Sequence, residues 1–409
     1  MKKDWQTLKQ ELIGCVQERM DYVKDYTDEE VEEIIDEVLL GREEIRLYPV
    51  EERRKLRAEL FNALRRLDIL QSFVEDSSVT EIMINGTDPI FVEQKGVLKR
   101  LDVRFDSVER LQDVIQRIVA GCNRVVNESS PIVDARLSNG SRVNIVMQPV
   151  ALNGPIVTIR RFPDKPITMD KLVKIGSLPK EAAEFLQDLV KAGYNIFVSG
   201  GTGSGKTTFL NALSGYIPSG ERVITIEDSA ELQLQGIPNL VRLETRNSNV
   251  EGCREISIRD LIRSALRMRP DRIIVGEVRG AEAIDMLQCL NTGHDGSMST
   301  GHANSARDML SRLENMVLMG MELPLAAIRQ QIASGLDVIV HLGRLRDKSR
   351  KVLEISEVTG YCDGVVQLKL LYEFEETGED EEGRVQGCLV RKGALQDERK
   401  LYAAGLSQA

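Results

Sequence analysis

Aromatic residues are scarce in this chain: they make up 4% of its 409 residues, with a single tryptophan. A surface that stacks successive bases of single-stranded nucleic acid is therefore not expected. Histidine is scarcer still, at three, and the six cysteines (Cys15, Cys122, Cys253, Cys289, Cys362 and Cys388) include no CxxC pair. That pattern favours reduced, packed thiols in a cytosolic protein. No apolar run approaches the ~18 residues a membrane span needs. The first residues, Met1 to Gln6, lead into a charged amphipathic stretch with no apolar core of a signal peptide. Any membrane contact is expected to be peripheral or through a partner. Positive charge is in deficit, with a net charge of −10, which counts against broad nucleic-acid binding.

What is present is ordinary globular material. Hydrophobic residues are 42% and charged residues 29% of the chain, enough to bury cores in two or three domains. Residues 1–75 read as a helical module. Thr27-Asp-Glu-Glu30 is a capping box, Val31, Ile34, Ile35 and Val38 follow at helical spacing, and Leu56, Leu60, Leu64 and Leu67 mark a second run. Residues 76–162 read as a mixed α/β domain. Its strands are expected at Val79–Ile84, Ile90–Glu93, Val97–Leu101, Ile132–Leu137, Arg142–Met147 and Ile156–Phe162, with a helix over Ser107–Ala120 and a hairpin signal at Asn85-Gly86. Pro163, Pro166 and Pro179 mark an interdomain linker at 163–178. From 179 to about 350 strands alternate with helices, the pattern of a parallel sheet with crossover helices. A β-rich tail, 351–409, is interrupted by Glu373–Gly383, where seven of eleven residues are acidic; a solvated loop is expected there.

The strongest motif is Gly200-Gly-Thr-Gly-Ser-Gly-Lys-Thr207, set between an apolar strand and a helix. Gly200, Gly201, Gly203 and Gly205 let the backbone turn tightly, so that its amides, with Thr202 and Ser204, converge on phosphates. Lys206 reaches the β- and γ-phosphates, Thr207 offers a hydroxyl to Mg²⁺, and Thr208 continues into the helix whose positive end faces the anion. ATP and Mg²⁺ are the implied ligands. About seventy residues on, Asp271-Arg-Ile-Ile-Val-Gly-Glu277 is an apolar strand ending in a carboxylate, and Glu277 is placed to polarise the attacking water. Gly276 stands where many such sites keep a metal-binding Asp, so Mg²⁺ needs another acid. Ile224-Thr-Ile-Glu-Asp-Ser-Ala-Glu231 supplies one candidate, Glu227, for water or Mg²⁺. Asp228 and Glu231 read as residues that hold the loop, and Asp228 also fits a helix N-cap. In Thr292-Gly-His-Asp-Gly-Ser-Met-Ser-Thr-Gly-His302, the two histidines have only Asp295 nearby, a poor zinc set. His302 ends a strand at Met298–Gly301 and is a candidate γ-phosphate sensor, while His294 reads as structural. His341 closes another apolar strand and reads as packing. Arg142, Arg160 and Arg161 lie on strands of the 76–162 domain. Such residues offset charge that develops during phosphoryl transfer, or they are surface charge, which the residues alone favour.

The order of these segments resembles the secretion ATPases of type II and type IV secretion and type IV pili. Four stretches are similar to their Walker A, Asp box, Walker B and His box: 200–207, Thr225–Leu232, Arg267–Gly280 and Thr292–Ser305. Ala265-Leu-Arg-Met-Arg-Pro-Asp271, Ala303-Asn-Ser-Ala-Arg307, Ile355-Ser-Glu-Val-Thr-Gly360 and Lys400-Leu-Tyr-Ala-Ala-Gly405 resemble the CpaF/TadA branch, the Flp (tight-adherence) pilus assembly ATPases. The likeness covers roughly residues 75–409. It implies an α/β fold with a RecA-like motor domain preceded by a PAS-like domain. It also implies a homohexamer at the cytoplasmic face of the inner membrane, docked on platform proteins and acting on pilins indirectly, with no nucleic acid. By position, Glu277 takes the role of the catalytic glutamate, Glu227 that of the Asp-box glutamate and His302 that of the His-box histidine. Arg142 and Arg160 become the arginines that the first domain brings to the nucleotide. Gly301 stands where that branch often carries a larger apolar residue, so a looser strand before His302 is expected. From the residues alone, two other functions fit the same loop and sheet pattern. One is a nucleic-acid motor of the hexameric helicase kind, against which the acidic charge and scarce aromatics count. The other is a nucleotide-binding scaffold with little hydrolysis, against which the two carboxylates and His302 count.

Overall fold

The structure is a computed structural model that describes residues 5–21, 24–94, 96–122, 124–162, 166–246 and 254–406. Cys253 and Pro163 lie outside them. The chain divides into two compact units, 1–164 and 165–409.

The first unit opens with helices α1 (Trp5–Arg19), α2 (Asp28–Leu40), α3 (Glu43–Arg46), α4 (Val50–Arg65) and α5 (Gln71–Glu75). The capping box is formed: the Thr27 hydroxyl accepts from Glu30 N at 3.3 Å, and the Glu30 carboxylate accepts from Thr27 N at 2.9 Å. Leu8, Leu12, Val31, Ile35, Leu56 and Leu60 form a core of their own. Strands β1 (Val79–Asn85), β2 (Ile90–Gln94), β3 (Val97–Arg100), β4 (Ile132–Arg136), β5 (Arg142–Val146) and β6 (Ile156–Arg160) make an antiparallel sheet in the order β3-β2-β1-β6-β5-β4. Helix α6 (Val108–Ala120) buries Leu111, Val114, Ile115 and Ile118, one helical face, with the inward side of that sheet.

The second unit contains α7 (Met169–Lys174), α8 (Lys180–Lys191), β7 (Ile196–Gly200), α9 (Lys206–Ser214), β8 (Arg222–Glu227), β9 (Asn239–Glu244), α10 (Ile258–Ala265), β10 (Arg272–Val275), α11 (Ala283–Leu290), β11 (Met298–His302), α12 (Ala306–Gly320) and α13 (Leu325–Gly335). It closes with β12 (Val338–Arg344), β13 (Arg350–Cys362), β14 (Val365–Glu379), β15 (Val385–Arg391) and α14 (Arg399–Ala403). Nine strands form one sheet in the order β15-β14-β13-β12-β7-β11-β10-β8-β9. From β12 through β9 every pairing is parallel. From β12 through β15 every pairing is antiparallel. Strand β7 lies in the middle and is buried throughout, as expected for a parallel strand covered on both faces.

Three expectations change. The segment Glu373–Gly383 is not a loop throughout. Strand β14 runs to Glu379, and its outward carboxylates are held by cations, Arg346 on Glu376 at 2.6 Å and Lys392 on Glu375. Of the expected linker, 163–165 lie outside the described residues, while Met169, Leu172 and Leu178 belong to the core of the second unit. No helix follows Asp228 directly, so it is not an N-cap. Its Oδ1 accepts from the Thr245 hydroxyl at 2.9 Å.

Candidate functional site

The parallel sheet gathers the candidates because each sits at the carboxyl end of a strand, where such sheets place their sites. Gly200 ends β7, His302 ends β11, Gly276 and Glu277 follow β10, and Glu227 ends β8. These strands are consecutive neighbours, with His302 opposite Gly200 and Val275 opposite Ile226. Four segments spread over a hundred residues are thus brought to one edge.

The loop turns as the motif requires. Gly203 and Gly205 have φ of +71° and +94°, values that a side chain at Cβ disfavours. Gly205 precedes α9, so its turn aims the free amides of that helix into the loop. Ser204 is buried with its hydroxyl unpartnered. Thr207 and Thr208 lie in the first turn of α9.

From Lys206 a row of polar contacts crosses the strand ends. Its Nζ donates to the Gly201 carbonyl at 3.0 Å and lies 3.3 Å from His302 Nδ1. His302 Nε2 is 2.9 Å from Glu277 Oε1. The two are in ion-pair range but not aligned as a hydrogen bond, since that buried oxygen has no hydrogen-bond partner. Arg279 Nη2 donates to Glu277 Oε2 at 2.7 Å, and Arg279 Nη1 is 3.7 Å from Asp228 Oδ2. Burial lowers the Lys206 pKa. Burial, then the Lys206 charge, lowers that of His302, so its imidazole is neutral at pH 7.

Glu227 is almost fully buried. Its Oε1 accepts from the amides of Glu231 and Leu232, each at 2.8 Å, and its Oε2 has no partner. Burial pushes its pKa up to about 7, against those two hydrogen bonds. Gly276 explains where it fits: a Cβ there would meet Glu227 Cγ at 2.9 Å. The Glu227 side chain occupies the space that an Asp at 276 would need. Mg²⁺ in such sites is held by one or two carboxylates and the substrate's own phosphates rather than by a protein cage. The unpartnered Glu227 oxygen and the Thr207 hydroxyl fit that chemistry. Among the described residues no group of three or more His, Cys, Asp or Glu is arranged to hold a metal by itself.

The remaining candidates are placed as follows. Arg142 and Arg160 face each other across β5 and β6 of the first unit. Arg142 Nη2 is 3.9 Å from Asp134, and Arg160 stands opposite the half-buried Glu81 of β1. Arg161 Nη1 donates to the Asp76 carbonyl. Ahead of His302, β11 stays paired with β7 along its length. A Cβ at Gly301 would meet Phe197 at 2.9 Å and Met309 at 3.0 Å, so the space of a larger residue is filled rather than empty. His294 Nδ1 lies 3.3 Å from the Cys289 carbonyl. His341 is buried in mid-strand rather than at a strand end, with Nδ1 2.9 Å from the Ser199 hydroxyl. Two contacts of the loop row escaped sequence reading. Arg279 carried a signal, being two residues past Glu277. Arg350, whose Nε donates to the Gly203 carbonyl at 2.9 Å across 147 residues, carried none.

A family model described as Type II/IV secretion system protein matches residues 64–394. A putative conjugal transfer protein of Mycobacterium tuberculosis is 37% identical over 322 residues, 77% of this chain and 89% of that protein. The type IV secretion system protein PtlH of Bordetella pertussis is 33% identical over 325 residues, 73% of this chain and 95% of that one. Two solved structures share the fold. The pilus retraction motor PilT with bound ADP has a TM-score of 0.52 at 23% identity, covering 75% of this chain and 82% of that one. The ATPase DotB of Legionella pneumophila has a TM-score of 0.50 at 24% identity, covering 70% and 79%. The motor unit is accordingly RecA-like, and the chain belongs to the type II/IV secretion system ATPase family.

Proposed function

We propose that this chain hydrolyses ATP as a homohexameric motor and powers assembly of a Flp-type pilus, or a related secretion step, from the cytoplasmic face of the membrane. The row Lys206–His302–Glu277 beside the phosphate loop carries the reading. In it, Gly200–Thr208 cradle the phosphates. Thr207 and Glu227 would hold Mg²⁺, which would supply positive charge to offset that of the phosphates. Glu277 Oε1, buried and without a hydrogen bond, takes the proton of the attacking water, while Arg279 fixes the other oxygen of that carboxylate. Neutral His302 meets the γ-phosphate beside Lys206. Arg142 and Arg160 are brought to the nucleotide from the first unit when it closes. Among the described residues no helix is long and apolar enough to cross a membrane, so docking on inner-membrane platform proteins supplies the membrane contact.

The test is Mg²⁺-dependent phosphate release by the purified chain, with Lys206→Ala alongside. Turnover in the wild type and none in the variant is expected; equal rates would overturn the reading. Neighbouring genes for prepilins, a prepilin peptidase and two platform membrane proteins are expected for the Flp assignment.

A further inference from the structure

Two arginines outside every motif stand against the phosphate loop. Arg344 ends β12 and Arg350 begins β13, and they face each other across the hairpin. Arg350 Nε holds the Gly203 carbonyl, and its Cδ lies 3.5 Å from the point where a side chain on Gly205 would start. Arg344 Nη1 lies 3.9 Å from the corresponding point on Gly203. The hairpin that carries them is fixed. Asp347 Oδ1 accepts from the Ser349 amide and hydroxyl at 2.9 and 2.6 Å, and its Oδ2 accepts from Val385 N at 2.9 Å. The intervening Arg346 is taken up by Glu376 and Glu379 of β14. By contrast, among the described residues no carboxylate pairs with Arg344 or Arg350.

Sheet order says which end of a nucleotide these cations face. Strand β7 lies between β11 and β12. His302, Glu277 and Glu227 all stand on the β11–β10–β8 flank. The hairpin stands on the other. A nucleotide whose terminal phosphate points at His302 and Glu277 turns its sugar and base toward the hairpin. The loop's amides face the phosphates, so a group that grips the Gly203 carbonyl sits on the loop's outer side, away from the cradle. A guanidinium there presents a flat cationic face, which stacks on aromatic rings.

We propose that Arg344 and Arg350 form the nucleobase end of the site, where a purine base stacks against their guanidinium planes. This rests on the reading of the loop as an ATP site. Both residues act on binding rather than on the chemical step.

The experiment measures, by calorimetry on the full chain with Mg²⁺, the dissociation constants of ATP and of inorganic tripolyphosphate. The variants are Arg344→Ala, Arg350→Ala, Arg350→Lys and the double alanine. The double alanine should weaken ATP binding roughly 3- to 30-fold and leave tripolyphosphate binding unchanged, which also reports an intact loop. Lysine at 350 can still donate to Gly203 but lacks the flat face, so it should behave like alanine toward ATP. Parallel loss of both ligands would overturn the proposal by placing the arginines on the phosphates or the loop. Unchanged ATP binding in the double variant would overturn it as well. Failure of the wild type to bind ATP would instead sink the ATP reading, and the two failures are distinguishable.

Discussion

The two flanks of β7 are built from different kinds of charge. On the β11–β10–β8 side, beside the exposed Arg279, the groups facing the loop are titratable and wholly or partly withdrawn from water: Glu227 is buried, and burial shifts the pKa values of Glu227, His302 and Lys206. On the β12–β13 side the groups are arginines, permanently charged and exposed. Moving a proton needs a group whose protonation can change near neutral pH, and burial supplies that. Gripping a ligand needs only a cation with the right shape. The difference separates a chemical flank from a binding flank.

Perturbing each flank sharpens that division. After Lys206 and Glu277, the largest effect is expected for His302→Ala, which should lower kcat roughly 10²-fold with little change in ATP affinity. Because burial and Lys206 depress the His302 pKa below 6.5, the part of the turnover profile that His302→Ala removes should lie below pH 6.5, separate from the break near 7 that Glu227 sets. A His302-dependent break above pH 7 would contradict a neutral His302.

Next comes Glu227. Its carboxyl holds a proton in the folded chain between pH 4.5 and about 7 that the unfolded chain has released. Folded stability therefore falls as pH rises through that window. A shift of this size corresponds to about 3 kcal/mol. Glu227→Gln should remove the slope. The variant should match the wild type near pH 4.5 and exceed it at pH 8 by roughly 1–3 kcal/mol in urea unfolding. A wild type that gains stability relative to the variant as pH rises would refute the buried, raised carboxyl.

Gly276→Ala tests the shared space at the same spot. With Glu227 Cγ only 2.9 Å away, the added methyl should cost roughly 1–3 kcal/mol. In a Glu227→Ala background most of that cost should vanish. Additive effects in the double variant would show that the two positions do not share the space. The smallest effect is expected on the far side of the hairpin. Arg346→Ala removes exposed ion pairs to Glu376 and Glu379 and should cost under about 1 kcal/mol.

Legibility follows the same division. The chemical flank could be read in the sequence because local runs carry it: an apolar strand ending in Glu277, another ending in Glu227, a third ending in His302. Each reports its own place at a strand end. The strands of the first unit were read from alternation nearly to the residue, as with β1 at Val79–Asn85 and β2 at Ile90–Gln94. The binding flank was not legible, since Arg350 reaches Gly203 across 147 residues and only the fold of the sheet brings them together. Glu373–Glu379 misled because a run of acids looks like solvated loop. Its partners Arg346 and Lys392 come from other segments, and they let the strand continue. The filling of Gly276 by Glu227 is likewise a contact between neighbouring strands that no local pattern announces.

The claim that Glu277 serves the chemical step from a buried oxygen that accepts no hydrogen bond is tested most directly by Glu277→Gln, assayed for single-turnover ATP hydrolysis and for ATP affinity on the same preparation. Hydrolysis should fall by roughly 10²- to 10⁴-fold while the dissociation constant for ATP stays within about twofold of the wild type. Hydrolysis at the wild-type rate would contradict the claim, as would a loss of ATP binding large enough to explain the slower turnover.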